Sequence, residues 1–242
     1  MRTILIENKL SLKTYQHLFF DLDHTLWDYD RNVHESLSEL HDVYQLINCG
    51  IESPEKFIQS FYNVNFKLWA LYDVGKIDKD SLRENRFKLV FENAGADPNL
   101  VPKLMEEDFM HRTSSKPHVL PYTFEILDYL QPNYGLHIIS NGFNESQAKK
   151  MMASGLTPYF DLVITSETTG HKKPDPRIFQ YALDKLRIKN TDTIMIGDNP
   201  NSDILGAIRA NIDNVYFDPH QKGIEHQPTY TIRHLKELEN LL

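Results

Sequence analysis

The sequence predicts an α/β protein: a Rossmann-like parallel sheet carrying an inserted helical segment. Two observations predict the sheet. Short apolar runs alternate with longer helix-like stretches, the pattern of parallel strands covered on both faces. Those runs also end on polar residues, and in an open α/β sheet ligands bind beyond the carboxyl ends of the strands. A third observation predicts the insert. The stretch between the first and second runs is too long for a simple crossover, and its apolar residues keep the helical period.

The elements follow in chain order. The first fifteen of the 242 residues, "MRTILIENKLSLKTY", hold only a three-residue apolar run, too short for a signal-peptide core. They read as a tail or an extra edge element. "HLFFDL" (17–22), "LHIIS" (136–140), "LVITS" (162–166), "TIMIG" (193–197) and "NVYF" (214–217) read as buried strands, being brief, apolar and rich in β-branched or aromatic residues. Between them, Phe57, Phe61, Val64, Leu68 and Leu71 recur at three- and four-residue spacing. Ser53, Pro54 and Glu55 form a helix start, and Gly95 a helix stop. The prolines of "SSKPHVLPYT" (114–123) mark the return. The expected organisation is a catalytic core of residues 1–29 and 117–242 around a helical cap of residues 30–116.

Composition narrows the function. Hydrophobic residues make up 40% and charged residues 25%, ordinary values for a globular protein. A formal net charge of −8 argues against a nucleic-acid polymer as partner, but not against a small anion at a locally positive site. Cys49 is the sole cysteine, so no intrachain disulfide forms, which suits a reducing cytoplasm. No apolar run reaches the length of a membrane span. There is no internal repeat.

The chemistry gathers at the strand ends. Asp21 and Asp23 follow the first strand, with Thr25 beyond. Alternate residues of a strand point the same way, so two carboxylates converge there at a cost that a hard cation would offset. Read alone, they are equally a helix cap and a loop acid. Ser140, Asn141 and Gly142 end the second strand before a helix-like stretch, an anion site or an ordinary Asn-Gly turn. Lys173 precedes Pro174 and is therefore held in a loop, with Lys172 as a neighbour easily mistaken for it. Pro176 then suits the first turn of "RIFQYALDKL". Gly197 permits close backbone approach before Asp198, and Asp203 falls near a helix start, where it could serve as a cap. Taken together, three acids (Asp21, Asp23, Asp198) hold a cation, and a hydroxyl, N–H groups and an ammonium hold an anion. That pairing describes a Mg²⁺-bound phosphoryl group.

The motifs "DLDHT", "ISN", "KKP" and "GDNPNSD", in this order, resemble those of the haloacid dehalogenase superfamily across nearly the whole chain. The inserted segment looks like that superfamily's type 1 cap. More narrowly, "ISNGF", "PYFDLVITSETTGHKKPDPRIF" and "GDNPNSDILGA" look like the house-cleaning pyrimidine 5′-nucleotidases. One departure is His24, where glycine is commonest. The resemblance implies Asp21 as nucleophile, forming an aspartyl-phosphate. It implies Asp23 as acid and then base, its pKa raised by the neighbouring carboxylate. Mg²⁺ would be held by Asp21, Asp198 and the main-chain carbonyl of Asp23. Thr25, Ser140, Asn141 and Lys173 would stabilise phosphoryl oxygens or hold the groups that do, and Asp203 would orient Lys173 or a metal-bound water. An acid at Asp23 favours phosphoester hydrolysis over dehalogenation, since a leaving halide needs no proton.

The substrate expected is a small phosphorylated metabolite, above all a nucleoside 5′-monophosphate, handled by a monomer or homodimer. The alternatives are a phosphoglycolate or sugar-phosphate phosphatase, a phosphoglucomutase of the same superfamily, or, outside enzymes, a phospho-receiver domain. In the cap, Trp69 and Tyr72 could stack a base or pack the bundle, and Arg86 could bind a carbonyl or phosphate. In the core, Trp27 and Phe143 could face the same pocket.

Overall fold

The computed structural model describes residues 14–223 and 225–242. Six parallel strands make one sheet: β1 (His17–Phe20), β2 (Gly135–Ser140), β3 (Leu162–Thr165), β4 (Thr193–Gly197), β5 (Asp213–Phe217) and β6 (Tyr230–Ile232), in the order β3-β2-β1-β4-β5-β6. All five strands read from the sequence are present. β1 and β3 end earlier than expected, and β6, three residues long, is too short to have shown a pattern. The most apolar run takes the centre: Leu18, Phe19 and Phe20 are fully buried. Phe20 pairs with Ile138 on one side and Ile196 on the other. The ladder continues one residue further, because the Asp21 amide donates to the Ile196 carbonyl at 2.9 Å. Asp21 is therefore delivered to the sheet edge by a fixed backbone.

Helices α5 (Thr123–Leu130), α6 (Asn144–Ala153), α7 (Ser166–Thr169), α8 (Pro176–Leu186) and α9 (Leu205–Arg209) connect and cover the strands. Alternate strand residues enter opposite cores. Leu18, Phe20, Ile138 and Ile196 pack on one face, while Phe19, Ile139 and Met195 meet Ile178 and Phe179 of α8 on the other. Pro176 opens α8 as expected, with Asp175 as its cap.

Between β1 and α5 lie four further helices: α1 (Tyr29–Val43), α2 (Pro54–Asp73), α3 (Lys79–Asn93) and α4 (Met105–Ser114). Ser53 caps α2 by accepting from the Lys56 amide, and Gly95, at φ 79°, follows the end of α3. Phe57, Phe61, Val64 and Leu68 bury one face of α2 against Phe87, Val90 and Phe91 of α3 and Phe109 of α4. Leu71 does not continue that stripe. It is exposed, and Tyr72, four residues after Leu68, is buried instead. The chain leaves and re-enters the sheet layer side by side: Trp27 bridges Val119, Leu120 donates to the Leu26 carbonyl at 2.8 Å, and Asp28 donates to that of His118 at 3.1 Å.

Of the N-terminal segment read as a tail, residues 1–13 lie outside the described residues. Tyr15 is buried in the main core and donates to Asp213 at 2.7 Å. Among the described residues no helix is long and apolar enough to cross a membrane.

At the opposite end of the sheet from Asp21, His17 and His137 stack, with His17 Nδ1 3.1 Å from His137 Nε2. Burial, reinforced by the His17 charge, pushes His137 down to about 4, and burial lowers His17 too. An unfolded histidine binds its proton near 6.5. Stability is therefore fully present above 6.5 and is lost as pH falls toward 4. His137→Gln is expected to lessen the fall in unfolding free energy between pH 7 and pH 5 by about 1–2 kcal/mol, read from urea titrations at both pH values.

Candidate active site

The carboxyl ends of β1, β2 and β4 and the loop after α7 converge on one buried ammonium. Lys173 Nζ lies 2.5 Å from Asp21 Oδ1, 2.7 Å from Asp203 Oδ1 and 2.6 Å from the Ile139 carbonyl. All three of its donors are used, and the residue is 1% exposed. The two carboxylates hold the ammonium well above the usual lysine range although burial alone would lower it. Asn141 fixes the lysine's backbone: its Oδ1 accepts from Lys173 N at 2.8 Å and its Nδ2 donates to Lys173 O at 2.9 Å. The Asn141 side chain thus holds Lys173, one of the two roles expected of it. Lys172 turns away and donates to the Tyr72 carbonyl.

Asp203 is no helix cap. Asn199 caps the single π-helical turn Pro200–Ile204, and its amide donates to Asp203 Oδ2 at 3.0 Å. Asp198, half-buried, accepts from the Thr25 hydroxyl at 3.4 Å. One carboxylate oxygen from each of Asp21, Asp198 and Asp203 lies within 4.8 Å of the others. Three carboxylates face one ammonium, which would leave two negative charges uncompensated were all three ionised. Burial pushes Asp21 up to about 7, and burial with Asp203 and Asp21 raises Asp198 well above the carboxylate range. This all-oxygen set with a double charge deficit fits a hard divalent cation.

Asp23 departs from expectation. Its carboxylate is not in the acidic cluster but turns to α6, where Lys150 Nζ lies 2.6 and 2.9 Å from its two oxygens and Gln147 Nε2 donates at 2.9 Å. Burial would raise its pKa, but Lys150 and Gln147 hold it below the usual range. The neighbouring carboxylate does not make it an acid, because the closest charge is a cation. Gln147 also donates to Ser140 Oγ at 2.6 Å, as does the Gly142 amide at 3.0 Å, so the Ser140 proton is left to donate elsewhere. Sequence reasoning missed Gln147 and Lys150. The signal was their i, i+3 spacing on the face of α6 that also buries Met151.

His24 takes a left-handed conformation, φ 61°, which explains why glycine suits this position, and its ring packs 4.5 Å from that of Tyr29. Trp27 does not face a pocket. It is fully buried in the sheet core, with Lys150 Nζ 4.5 Å from its ring. Beyond Asp23 and Lys150 lies a small cavity of about 50 Å³ bounded by Tyr29, Trp69, Arg86, Thr113 and Phe143. Trp69 stacks on Phe143 at 5.4 Å. Arg86 is 2% exposed, with Glu106 Oε1 3.2 Å from Nη2. Burial pushes Glu106 up to about 7 against the pull of Arg86 and Arg83. Tyr72 borders a different, open cleft of about 580 Å³ beside Lys76, Lys79 and Lys172.

A methyl group at Gly197 would stand 2.3 Å from Asp203 Oδ2. Gly197→Ala is expected to cost about 1–3 kcal/mol by pushing Asp203 off Lys173. In urea unfolding, pairing it with Asp203→Gly should cost less than the two single losses added together, since glycine removes the carboxylate and also the Cβ, which would stand 2.6 Å from the new methyl.

A sequence model described as haloacid dehalogenase-like hydrolase matches residues 15–211. The chain is 32% identical over 230 residues to the pyrimidine 5′-nucleotidase YjjG of Escherichia coli, covering 93% of this chain and 96% of that one. It is 28% identical over 232 residues to the pyrimidine 5′-nucleotidase PynA of Streptococcus pneumoniae, covering 94% and 95%. The magnesium-bound crystal structure of the HAD-hydrolase YfnB of Bacillus subtilis superposes with a TM-score of 0.83 at 28% identity, covering 95% of this chain and 99% of that one. More distant relatives are named phosphoserine phosphatase and glyceraldehyde 3-phosphate phosphatase. These matches set the phospho-receiver alternative aside: the chain belongs to the haloacid dehalogenase-like hydrolase family and is a phosphatase of it.

Proposed function

We propose that the protein hydrolyses nucleoside 5′-monophosphates, pyrimidine nucleotides foremost, with Mg²⁺ and through an aspartyl-phosphate on Asp21. The observation that carries the reading is the convergence of Asp21, Asp198 and Asp203 on Lys173 with two negative charges left over. Asp21 and Asp198, with the main-chain carbonyl of Asp23, would hold the ion, which when bound supplies charge to the phosphoryl oxygens and aligns them for in-line attack.

Asp21 Oδ attacks phosphorus and the P–O ester bond breaks. Asp23, ionised while Lys150 holds it, takes up a proton from solvent once it leaves that cation and gives it to the departing alkoxide, so an alcohol leaves. Water then attacks the aspartyl-phosphate, Asp23 takes its proton, and phosphate leaves with Asp21 restored. For the first half-reaction the Asp23 carboxyl must turn from Lys150 to the leaving oxygen. Lys173 has no unspent donor, so a phosphoryl oxygen reaches it by taking the place of a carboxylate. The Ser140 hydroxyl donates to the same phosphoryl group. The four-helix insert acts as a cap over this edge, closing to exclude water.

The substrate reading rests on the two nucleotidase relatives and on the ring-walled cavity beside Asp23. The test is phosphate release with Mg²⁺ across ribo- and deoxynucleoside monophosphates, phosphoglycolate and hexose phosphates. Preference for uridine- or thymidine-type monophosphates is expected. Preference for a sugar phosphate or phosphoglycolate would overturn the substrate while leaving the chemistry. Asp21→Asn, nearly isosteric, is expected to lower turnover by about 10⁴-fold or more with unchanged circular dichroism. Near-native activity in that variant would remove Asp21 as nucleophile.

A further inference from the structure

The cavity beside Asp23 holds an unusual concentration of unspent polar atoms. Arg86 Nε and Nη2 and Thr113 Oγ1 are buried and lack hydrogen-bond partners among the described residues. Both residues bound the cavity, and both are at least nine-tenths buried. Buried donors are nearly always paired in native proteins, so orphans clustered at one cavity point to a ligand.

Charge narrows the ligand. Arg86, the cation with unspent donors, already has a carboxylate, Glu106 at 3.2 Å, and Lys150 is paired with Asp23 at 2.6 Å until that acid turns to the leaving oxygen. Glu106 is close enough to balance the charge of Arg86, yet it is not aligned to accept its hydrogens, because neither of its oxygens has a hydrogen-bond partner. What remains is N–H donors without net charge. That suits a neutral carbonyl and gives no advantage to a second anionic group, such as the carboxylate of phosphoglycolate. Tyr29, Trp69 and Phe143 supply flat apolar walls, which suit a planar ring. About 50 Å³ is less than one six-membered ring fills, so the walls must part to admit a ring, and a single ring asks less of them than a fused pair.

We propose that Arg86 and Thr113 read the carbonyl edge of a single neutral ring held against Trp69 and Phe143, and so set the choice of nucleotide. The inference rests on the nucleotide reading above and adds the residues that make it. Glu106 is a positioning residue, holding Arg86 without consuming its donors.

The test compares kcat/KM for uridine 5′-monophosphate with that for ribose 5-phosphate, which carries the sugar and phosphate but no ring, at pH 8 with Mg²⁺. Thr113→Val, close to isosteric, is expected to lower the ratio about 10-fold, and Arg86→Met about 100-fold, with ribose 5-phosphate turnover unchanged. Because Arg86→Met strands Glu106, Arg86→Met/Glu106→Gln is measured alongside. It should share the lost ratio while recovering melting temperature. If wild type prefers the nucleotide and all three variants keep the full ratio, this inference falls and the nucleotidase reading stands. If wild type shows no preference for the nucleotide, both fall. An equal loss on both substrates would mark Arg86 and Thr113 as structural and overturn the proposal.

Discussion

One buried ammonium organises this molecule. Lys173 sits in the interior with three acceptors drawn from three stretches of chain: Asp21 after β1, Ile139 within β2, and Asp203 in the turn after β4. A charge removed from water is tolerable only when it is fully paired and hydrogen-bonded. The sheet must therefore bring those strand ends into register for the fold to close. The same demand assembles the proposed reaction site, because the groups that pair the lysine are the groups that would meet a phosphoryl ligand. In the proposed mechanism one side chain serves both stability and chemistry, and Asn141 ties its backbone down.

The second charge pair does different work. Lys150 and Asp23 lie at the junction between the acidic cluster and the ring-walled cavity, with Trp27 beneath the ammonium and Tyr29 nearby. From the helical insert, Asp73 also reaches the core site, accepting from Asn141 at 3.1 Å. The insert and the sheet thus meet through polar contacts at the site and through Trp69 and Phe143 beside it. Lys79 and Arg83 of α3 add exposed ion pairs to Glu145 and Glu167, each worth little in stability. Such an interface is made of parts that can separate and re-form.

Much of this was legible in the chain. Apolar runs ending in polar residues gave five of the strands and the edge at which they matter. Asp21, Asp198 and Lys173 meet there as their positions implied, and Asp203 joins Lys173 as the resemblance implied. What was not legible depends on contacts distant in sequence. Asp23 has a carboxylate two residues away, which suggested a raised pKa, but its nearest charge is 127 residues on. Lys150 sits in a polar-looking helix, where its i, i+3 spacing from Gln147 on the face that buries Met151 was the one local sign that it is not solvated. Trp27 follows the acids and so looked pocket-facing. The chain doubles back between Leu22 and Trp27, with Trp27 N donating to Leu22 O at 2.9 Å, and turns the indole into the core. Leu71 lost its place to Tyr72 because a helical face drifts, and one residue's shift decides which side chain goes inside.

The two chain crossings between insert and sheet run beside each other, bonded from Leu26 to Leu120 and from Asp28 to His118. Because the points of departure and return almost coincide, the ends of the insert stay close together whatever its length. Closing a loop whose ends are already pinned costs only slowly more as it grows. The architecture is thus modular. A longer, shorter or differently lined set of helices could be exchanged at this junction without disturbing the strand register that assembles Lys173 and its partners. A lineage could in this way revise what it recognises while its reaction chemistry stays the same.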